Sequence, residues 1–512
     1  MAITNNVKGI NSKCQVVVFP WKYNTLSRNF SDKELSQASL LDISKYVLDA
    51  SFSKTLSNAA GTFELNLAND RDWKEVLKPG TWCLIYMSQF GDLSIPEKDT
   101  DINSAQLKRQ KNRLRGICYI ERVTSKGRVG QERGEFSVVF SVSGRDFGVI
   151  YEETEIWHNL IKYETTLLKS ASSQLKSLTD KRVHTLLDLV HRLFFSPADL
   201  VKVREDTGSL ISTSLQWLLP KELINALGLG LNRGKSYYGN IKGLLNLETT
   251  KCTLPMEDPL LYLSGGAWSK LKALSIEPLH ELFTETTEDG APRLNFRPIP
   301  WILNSRNSGL RPLGNTVKKF RDVSRVQIPT IDIIDFDVGE DNHTRYSLFF
   351  TAIRTASLYG QDSISVLADS GFPKIQQASV KRHGLRLMYN EVNALIQFGT
   401  AKADPNLLKA YNELMFEYWN NAIFMESGSF TIVGNNEVKL GKVMQIEENA
   451  PYNSNKLFYI EGYTDSFSVG EERGETFWTQ TITVTRGIEE SGSLDKRDNL
   501  YNEFGKFIGD NK

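Results

Sequence analysis

Tyr119-Ile-Glu-Arg-Val-Thr-Ser-Lys-Gly-Arg-Val-Gly-Gln-Glu-Arg-Gly-Glu135 recurs without gaps as Tyr459-Ile-Glu-Gly-Tyr-Thr-Asp-Ser-Phe-Ser-Val-Gly-Glu-Glu-Arg-Gly-Glu475. Ten of the 17 positions are identical at a constant offset of 340. Self-similarity at a fixed offset marks a repeated structural unit. Each copy runs on into an alternating segment, Phe136–Ser143 and Thr476–Thr483, so both predict a hairpin of two strands.

Working outward, Pro79-Gly-Thr-Trp-Cys-Leu-Ile85 has a counterpart in Lys439-Leu-Gly-Lys-Val-Met-Gln-Ile446, each a glycine turn feeding a strand. A weaker match pairs two strand–turn–strand units. One is Val47–Leu67, turning through Ser57-Asn-Ala-Ala-Gly61, and the other is Ile331–Phe350, turning through Gly339-Glu-Asp-Asn-His343. All three matches keep the same order in both halves, which predicts one β-domain present twice. The copies differ in their additions. Gly80 and Tyr119 are 39 residues apart but Gly441 and Tyr459 only 18, so the first copy carries 21 more, in the polar stretch Ser88–Arg113. That stretch reads as a long hairpin loop or flap. The second copy is expected to open after its first hairpin and admit a helical block at 353–427. Within that block Asp404-Pro405 reads as an N-cap and first-turn proline. Leu407, Leu408, Tyr411, Leu414, Met415, Tyr418 and Trp419 then share one apolar helical face, a core-packing pattern.

Composition bounds the function. Of 512 residues, 61 Lys+Arg balance 61 Asp+Glu, which argues against a protein whose task is to coat nucleic acid. Mean hydropathy is −0.32 and no run approaches the ~18–20 apolar residues of a membrane span. The start, MAITNNVKGINSKCQVVVF, lacks the pattern of a signal peptide. Cys14, Cys83, Cys118 and Cys252 are too few and too scattered for a disulfide framework, and none forms a C-x-x-C pair for zinc. Reduced, buried thiols and folding in a reducing cytosol are expected.

Motifs of catalysis are weak throughout. His184 and His191 lie seven apart without the spacing or Glu of a zinc-protease helix, and His158, His280, His343 and His383 are isolated. Gly228-Leu-Gly-Leu-Asn-Arg-Gly-Lys-Ser236 misses the P-loop spacing, because the required first glycine is Leu229, and a glycine-capped helix end fits better. Asp335-Phe-Asp-Val-Gly-Glu-Asp341 has Gly339 and Tyr346 where a calcium loop needs ligands. An alternating strand explains it, with Ile334, Phe336 and Val338 inward and Asp335 and Asp337 outward. Lys108-Arg-Gln-Lys-Asn-Arg-Leu-Arg115 follows an acidic stretch and reads as a solvated loop or a charged partner contact, since the interleaved aromatics of a nucleic-acid site are missing. No catalytic, cofactor-binding or metal-binding residue is assigned.

On these residues the chain resembles the baseplate central hub protein of contractile-tailed bacteriophages. The resemblance lies in Ser53-Lys-Thr-Leu-Ser-Asn-Ala-Ala-Gly-Thr-Phe-Glu-Leu65, Lys78-Pro-Gly-Thr-Trp-Cys83 and Ser143-Gly-Arg-Asp-Phe-Gly148 in the first half. In the second it lies in Gly434-Asn-Asn-Glu-Val-Lys-Leu-Gly441 and Gly462-Tyr-Thr-Asp-Ser-Phe467. It spans roughly residues 40–490 and is thinnest over 155–325, where only texture and Arg297-Pro-Ile-Pro300 match.

The resemblance implies an α+β, β-rich fold with two tail-tube-like antiparallel β-barrel domains related by duplication, plus a mixed α/β inserted region. The expected division is 1–39, an N-terminal segment; 40–152, the first barrel; 153–325, a mixed middle domain; 326–352 with 428–490, the second barrel; 353–427, a helical insertion packing with the middle domain; and 491–512, a tail. It implies a structural homotrimer that joins the sixfold tail tube protein to the threefold central spike protein and touches other baseplate (wedge) proteins. DNA would only pass through its lumen, no membrane insertion is expected, and the chain would be assembled in host cytoplasm into the virion. Gly130, Glu132, Arg133, Gly134 and Glu135, with Gly470, Glu472, Arg473, Gly474 and Glu475, would serve the repeat hairpins and a contact between barrels, Arg133 and Arg473 forming equivalent ion pairs. The alternatives are a hub carrying peptidoglycan hydrolase activity in its middle region and the hub of a non-phage contractile injection machine.

Overall fold

A computed structural model describes residues 11–19, 40–89, 110–129, 136–153, 155–157, 245–247, 264–266, 280–288, 290–301, 318–340, 346–352, 384–391, 405–420, 425–447, 456–470 and 475–489, with isolated positions at 93, 107, 109, 268–269, 272, 374–375, 377 and 380–381. The described chain is β-rich, with few helices and one dominant curled sheet that is antiparallel apart from a single parallel pairing.

The first half contributes β1 (Lys13–Phe19), β2 (Leu41–Asp42), β3 (Val47–Thr55), β4 (Thr62–Ala68), a short helix α1 (Trp73–Val76), β5 (Trp82–Ser88), β6 (Leu114–Val129) and β7 (Phe136–Asp146). A hairpin of β8 (His280–Thr286) and β9 (Pro292–Pro298) follows. The second half supplies β10 (Arg325–Ile328), β11 (Ile333–Glu340), β12 (Leu348–Ala352), helix α2 (Pro405–Asn420), β13 (Glu426–Val433), β14 (Val443–Ile446), β15 (Lys456–Val469) and β16 (Thr476–Glu489).

Among the described residues thirteen strands form the main sheet in the order β11-β13-β16-β15-β3-β4-β7-β6-β5-β1-β2, with β14 pairing β15 and β10. Period-2 patterning sets the faces. Phe63, Leu65 and Leu67 of β4 are buried, while Glu64 and Asn66 between them are half-exposed. In β5 every residue is buried, and alternate residues enter different cores. Cys83, Ile85 and Met87 join the main core, whereas Trp82, Leu84 and Tyr86 pack with Val17, Ile117 and Phe147. An uninterrupted apolar strand is what burial on both faces requires.

The strands of each half pair in the same sequence, β3-β4-β7-β6-β5 against β11-β13-β16-β15-β14. Local irregularities coincide as well. The ladder is bulged between Val47 and Asp49 in β3 and between Ile333 and Asp335 in β11. It is bulged again between Ile120 and Arg122 in β6 and between Ile460 and Gly462 in β15. Gly80 and Gly441 both have positive φ, +93° and +72°. Their amides donate to Ile120 O (2.8 Å) and Ile460 O (3.0 Å), residues 340 positions apart in the chain.

Two expectations need correction. Ile331–Phe350 is not a hairpin: β11 pairs with β13, and β12 instead pairs with Lys374–Ile375 and Leu387–Glu391 in a separate small sheet. The chain leaves the main sheet one strand earlier than the alternation suggested. Loop-closure cost grows slowly with length, so β11 can still find β13 across a long excursion. In β11 itself, Phe336 does face the buried Phe430 (ring centroids 6.1 Å) but stays 45% exposed, and Ile334 is 57% exposed. The bulge in the β11–β13 ladder displaces Ile334.

Helix α2 buries Tyr411, Leu414, Met415 and Tyr418, as its spacing predicts, against Phe320, Phe349, Leu457 and Tyr459. Asp404 lies outside the described residues. Cys14, Cys83 and Cys118 are free and buried. Among the described residues no helix is long and apolar enough to cross a membrane.

Candidate functional site

The two halves meet where β15 pairs with β3, in the register Gly462↔Thr55 through Ser468↔Asp49. Leu56 N donates to Glu461 O at 2.8 Å, and the Ser53 and Thr464 hydroxyls are 3.0 Å apart. Behind this join lies a buried polar cluster. Asp465 is fully buried and accepts from Arg115 Nε (2.8 Å), Trp478 Nε1 (3.0 Å) and Gln480 Nε2 (2.6 Å). Arg115, equally buried, also donates through Nη1 to Val438 O (3.0 Å) and Asn436 O (3.3 Å). Its guanidinium lies over the Tyr463 ring at 4.6 Å. Burial is the largest single influence and opposes the Arg115 charge, but Asp465, Tyr463 and Glu285 together outweigh it and raise the pKa of the guanidinium.

The β8–β9 hairpin clamps the same region with two carboxylates four residues apart. Glu281 accepts from Arg297 Nε (2.6 Å) and from the Tyr459 hydroxyl (2.6 and 2.7 Å). Glu285 accepts from the Tyr463 hydroxyl (3.2 Å) and from Leu440 N (2.9 Å). Lys439 donates to Leu114 O at 3.2 Å; burial, reinforced by the Arg115 charge, pushes its ammonium down to about 7.

A second buried ion pair, Lys54 with Asp146, links the segments Ser53–Leu65 and Ser143–Gly148. Asp146 also accepts from Gly61 N and Gly148 N, both at 2.9 Å. A Cβ at Gly148 would fall 1.8 Å from Ala59 O, so only glycine allows that approach. Burial dominates Asp146 and raises its carboxyl pKa despite the Lys54 charge.

Arg115 with Asp465 and Lys54 with Asp146 are buried, hydrogen-bonded ion pairs between distant chain segments, which suits a clamp. Among the described residues no group of three or more His, Cys, Asp or Glu is arranged to hold a metal ion. His280, the described histidine, is buried and stacks on Phe296 (5.2 Å). His158, His184, His191, His343 and His383 lie outside the described residues, as does Gly228–Ser236.

Of the repeat-hairpin residues, Gly130, Glu132, Arg133, Gly134, Glu135, Glu472, Arg473 and Gly474 lie outside the described residues. Gly470 and Glu475 are described, and Gly470 N donates to Glu475 O at 2.6 Å, closing the β15–β16 hairpin. Sequence reasoning placed Arg115 in a basic run read as a solvated loop or partner contact, quoted Lys54, Asp146 and Asp465 only within motifs and without a role, and did not single out Glu285. A signal was present: Arg115 interrupts the apolar run Leu114–Ile120, and Asp465 stands where the other repeat has Ser125.

No protein-family model matches this chain, and no curated protein sequence matches it. Among solved structures, the tail protein from Neisseria meningitidis MC58 is similar at TM-score 0.42 and 9% identity, over 93% of this chain and 96% of its own. The 43 kDa tail protein of prophage MuSo2 from Shewanella oneidensis is similar at TM-score 0.42 and 10% identity, over 92% and 96%. Both of these neighbours are tail proteins by name.

Proposed function

We propose that this chain is a structural, non-enzymatic hub of a contractile phage-tail baseplate, acting as a homotrimer between a sixfold tail tube and a threefold central spike. The single observation that carries it is that one chain holds two strand sets paired in the same order, joined edge to edge by β15 and β3. Coincident bulges and glycine turns support their origin by duplication. Two related but unequal units per chain are what adapting sixfold to threefold symmetry requires. The unequal additions, 21 residues in the first unit and the long excursion between β11 and β13 in the second, break the sixfold equivalence.

In this reading residues 40–152 and 326–352 with 428–490 are the two tube-like barrels, β12 excepted, and 153–325 with 353–427 form the region that touches wedge proteins. The hairpin residues from Gly130 to Glu135 and from Gly470 to Glu475 contact neighbouring barrels, Arg133 and Arg473 as matched ion pairs. DNA passes through the lumen without sequence readout, and the virion tail is the site of action.

Sedimentation equilibrium of the purified chain, alone and with its spike, tests the proposal. A mass three times 57.9 kDa is expected. A monomer in both conditions overturns it. Clearing of purified peptidoglycan by the chain would replace the non-enzymatic hub with a hydrolase-bearing one.

A further inference from the structure

We propose that Lys54 and Asp146 form a self-processing site, where the Lys54 amine and the Asp146 carboxyl condense to an intramolecular amide with release of one water. The inference goes beyond the hub reading and does not rest on it. Lys54 is the last residue but one of β3, and Asp146 is the last of β7. β4 pairs with both strands and begins at Thr62, so the two side chains meet where β4 has not yet started. Asp146 N donates to Gly61 O at 2.9 Å, which holds the backbone of the carboxyl in place.

Three features suit a reaction. The first is exclusion of water: both side chains are 1% exposed, and the Phe147 ring lies 4.6 Å from Lys54 Nζ. In water an ammonium and a carboxylate are favoured over the amide. Burial penalises the two charges and not the neutral product, and the released water leaves for the solvent. The second is a polarised carboxyl. Oδ2 faces Lys54 Nζ, while Oδ1 accepts from both Gly61 N and Gly148 N at 2.9 Å. Two backbone amides on one oxygen are the arrangement that stabilises negative charge developing on an attacked carbonyl. Glycine makes that approach possible, since a Cβ at Gly61 would fall 2.6 Å from Ser53 O. The third is the state of the acid. Burial raises the Asp146 carboxyl pKa, which favours the protonated form that can lose a hydroxyl.

Other ion pairs lack this combination. Arg115 with Asp465 is as deeply buried, but a guanidinium keeps its proton and is no nucleophile. Lys456 with Glu426 (18% and 19% exposed) and Lys442 with Glu288 (13% and 71%) keep access to water, which solvates their charges.

The step needs no oxidant, reductant or further reactant. One proton passes from the Lys54 ammonium to Asp146 Oδ2, leaving an amine and a carboxylic acid. The nitrogen lone pair attacks Cγ, the carbonyl electron pair moves onto Oδ1, and the Gly61 and Gly148 amides hold it there. A second proton passes from nitrogen to Oδ2. The Cγ–Oδ2 bond then breaks, water departs and the third hydrogen stays on the amide nitrogen. The new bond closes a loop between positions 92 apart and removes that freedom from the unfolded chain. It also ties β3, the strand that pairs with β15 of the second half, covalently to β7.

Mass spectrometry of the intact, denatured wild-type chain tests the proposal. The chain should be lighter than its sequence mass by one water. A tryptic digest should contain a branched peptide joining Lys54 to Asp146, with no cleavage after Lys54. Lys54→Arg keeps the positive charge but offers no amine, and should show its full sequence mass. The wild-type measurement decides the matter whether or not the variant folds. A wild-type chain at full sequence mass overturns the amide, as does cleavage after Lys54 throughout the sample. Loss of water mapped to another residue, or retained in Lys54→Arg, overturns it too.

Discussion

Arg115 Nε and Asp465 Oδ2 lie 2.8 Å apart with both side chains fully buried, although 350 positions separate them. This contact ties the start of β6, in the first half, to the middle of β15, in the second. Removing one member of a buried pair strands the other charge away from water. Asp465→Asn should therefore destabilise the chain by about 3–5 kcal/mol in urea unfolding. The double variant Arg115→Met/Asp465→Leu, which leaves no charge behind, should cost less than the single one. Additive losses would show that the two side chains do not act as a pair.

Lys439 makes stability depend on pH in a defined direction. Its ammonium is held at about 7 in the folded chain against 10.5 for the ordinary value, by burial first and the Arg115 charge second. Between those values the unfolded chain binds a proton that the folded chain lacks, so stability rises with pH across the window. Below about 7 both forms are protonated and the full penalty applies. The difference in unfolding free energy between wild type and Lys439→Met should therefore change from pH 7 to 10.5 and be flat from pH 5 to 6.5. A difference curve flat throughout would contradict the shift.

Gly80 and Gly441 share a turn geometry, and Gly441 also lies against the β8–β9 hairpin. Alanine at either must adopt positive φ, which costs about 1 kcal/mol or more. At Gly441 a Cβ would also fall 2.2 Å from Arg297 Nη2 and 2.8 Å from Phe283 Cζ. Gly441→Ala should lower the melting temperature clearly more than Gly80→Ala. Equal shifts would mean that the β8–β9 hairpin yields freely.

Leu414, fully buried in the core under α2, is a test of how that helix is attached. Leu414→Ala should cost about 2–5 kcal/mol by lost transfer energy and the cavity left behind. Hydrogen exchange should accelerate in α2 more than in β4, whose core is separate. Uniform acceleration would show that both cores unfold as one unit.

Patterning explains which parts of the fold were legible. The hairpins that begin at Tyr119 and Tyr459 read correctly because a hairpin is local: alternation, a glycine turn and a second alternating run specify it within about twenty residues. The α2 face reads correctly for the same reason, its period being written in adjacent turns. The partner of β11 was not legible. Leu348–Ala352 is as strand-like as Glu426–Val433, and no local rule says which of them pairs with Ile333–Glu340. Nor was Arg115: five basic residues in eight look solvated until a carboxylate from the other half is brought to them.

The sequence by itself determined where the β6–β7 and β15–β16 hairpins and the glycine turns fall and which helix face is buried, because these depend on periodicity and backbone conformation within short segments. Only the tertiary structure decided that β15 lies beside β3, that Arg115 meets Asp465, and that β11 pairs with β13. Those outcomes depend on which distant strand completes a ladder and which buried charge finds its counter-charge, and both are selected by packing across the whole sheet.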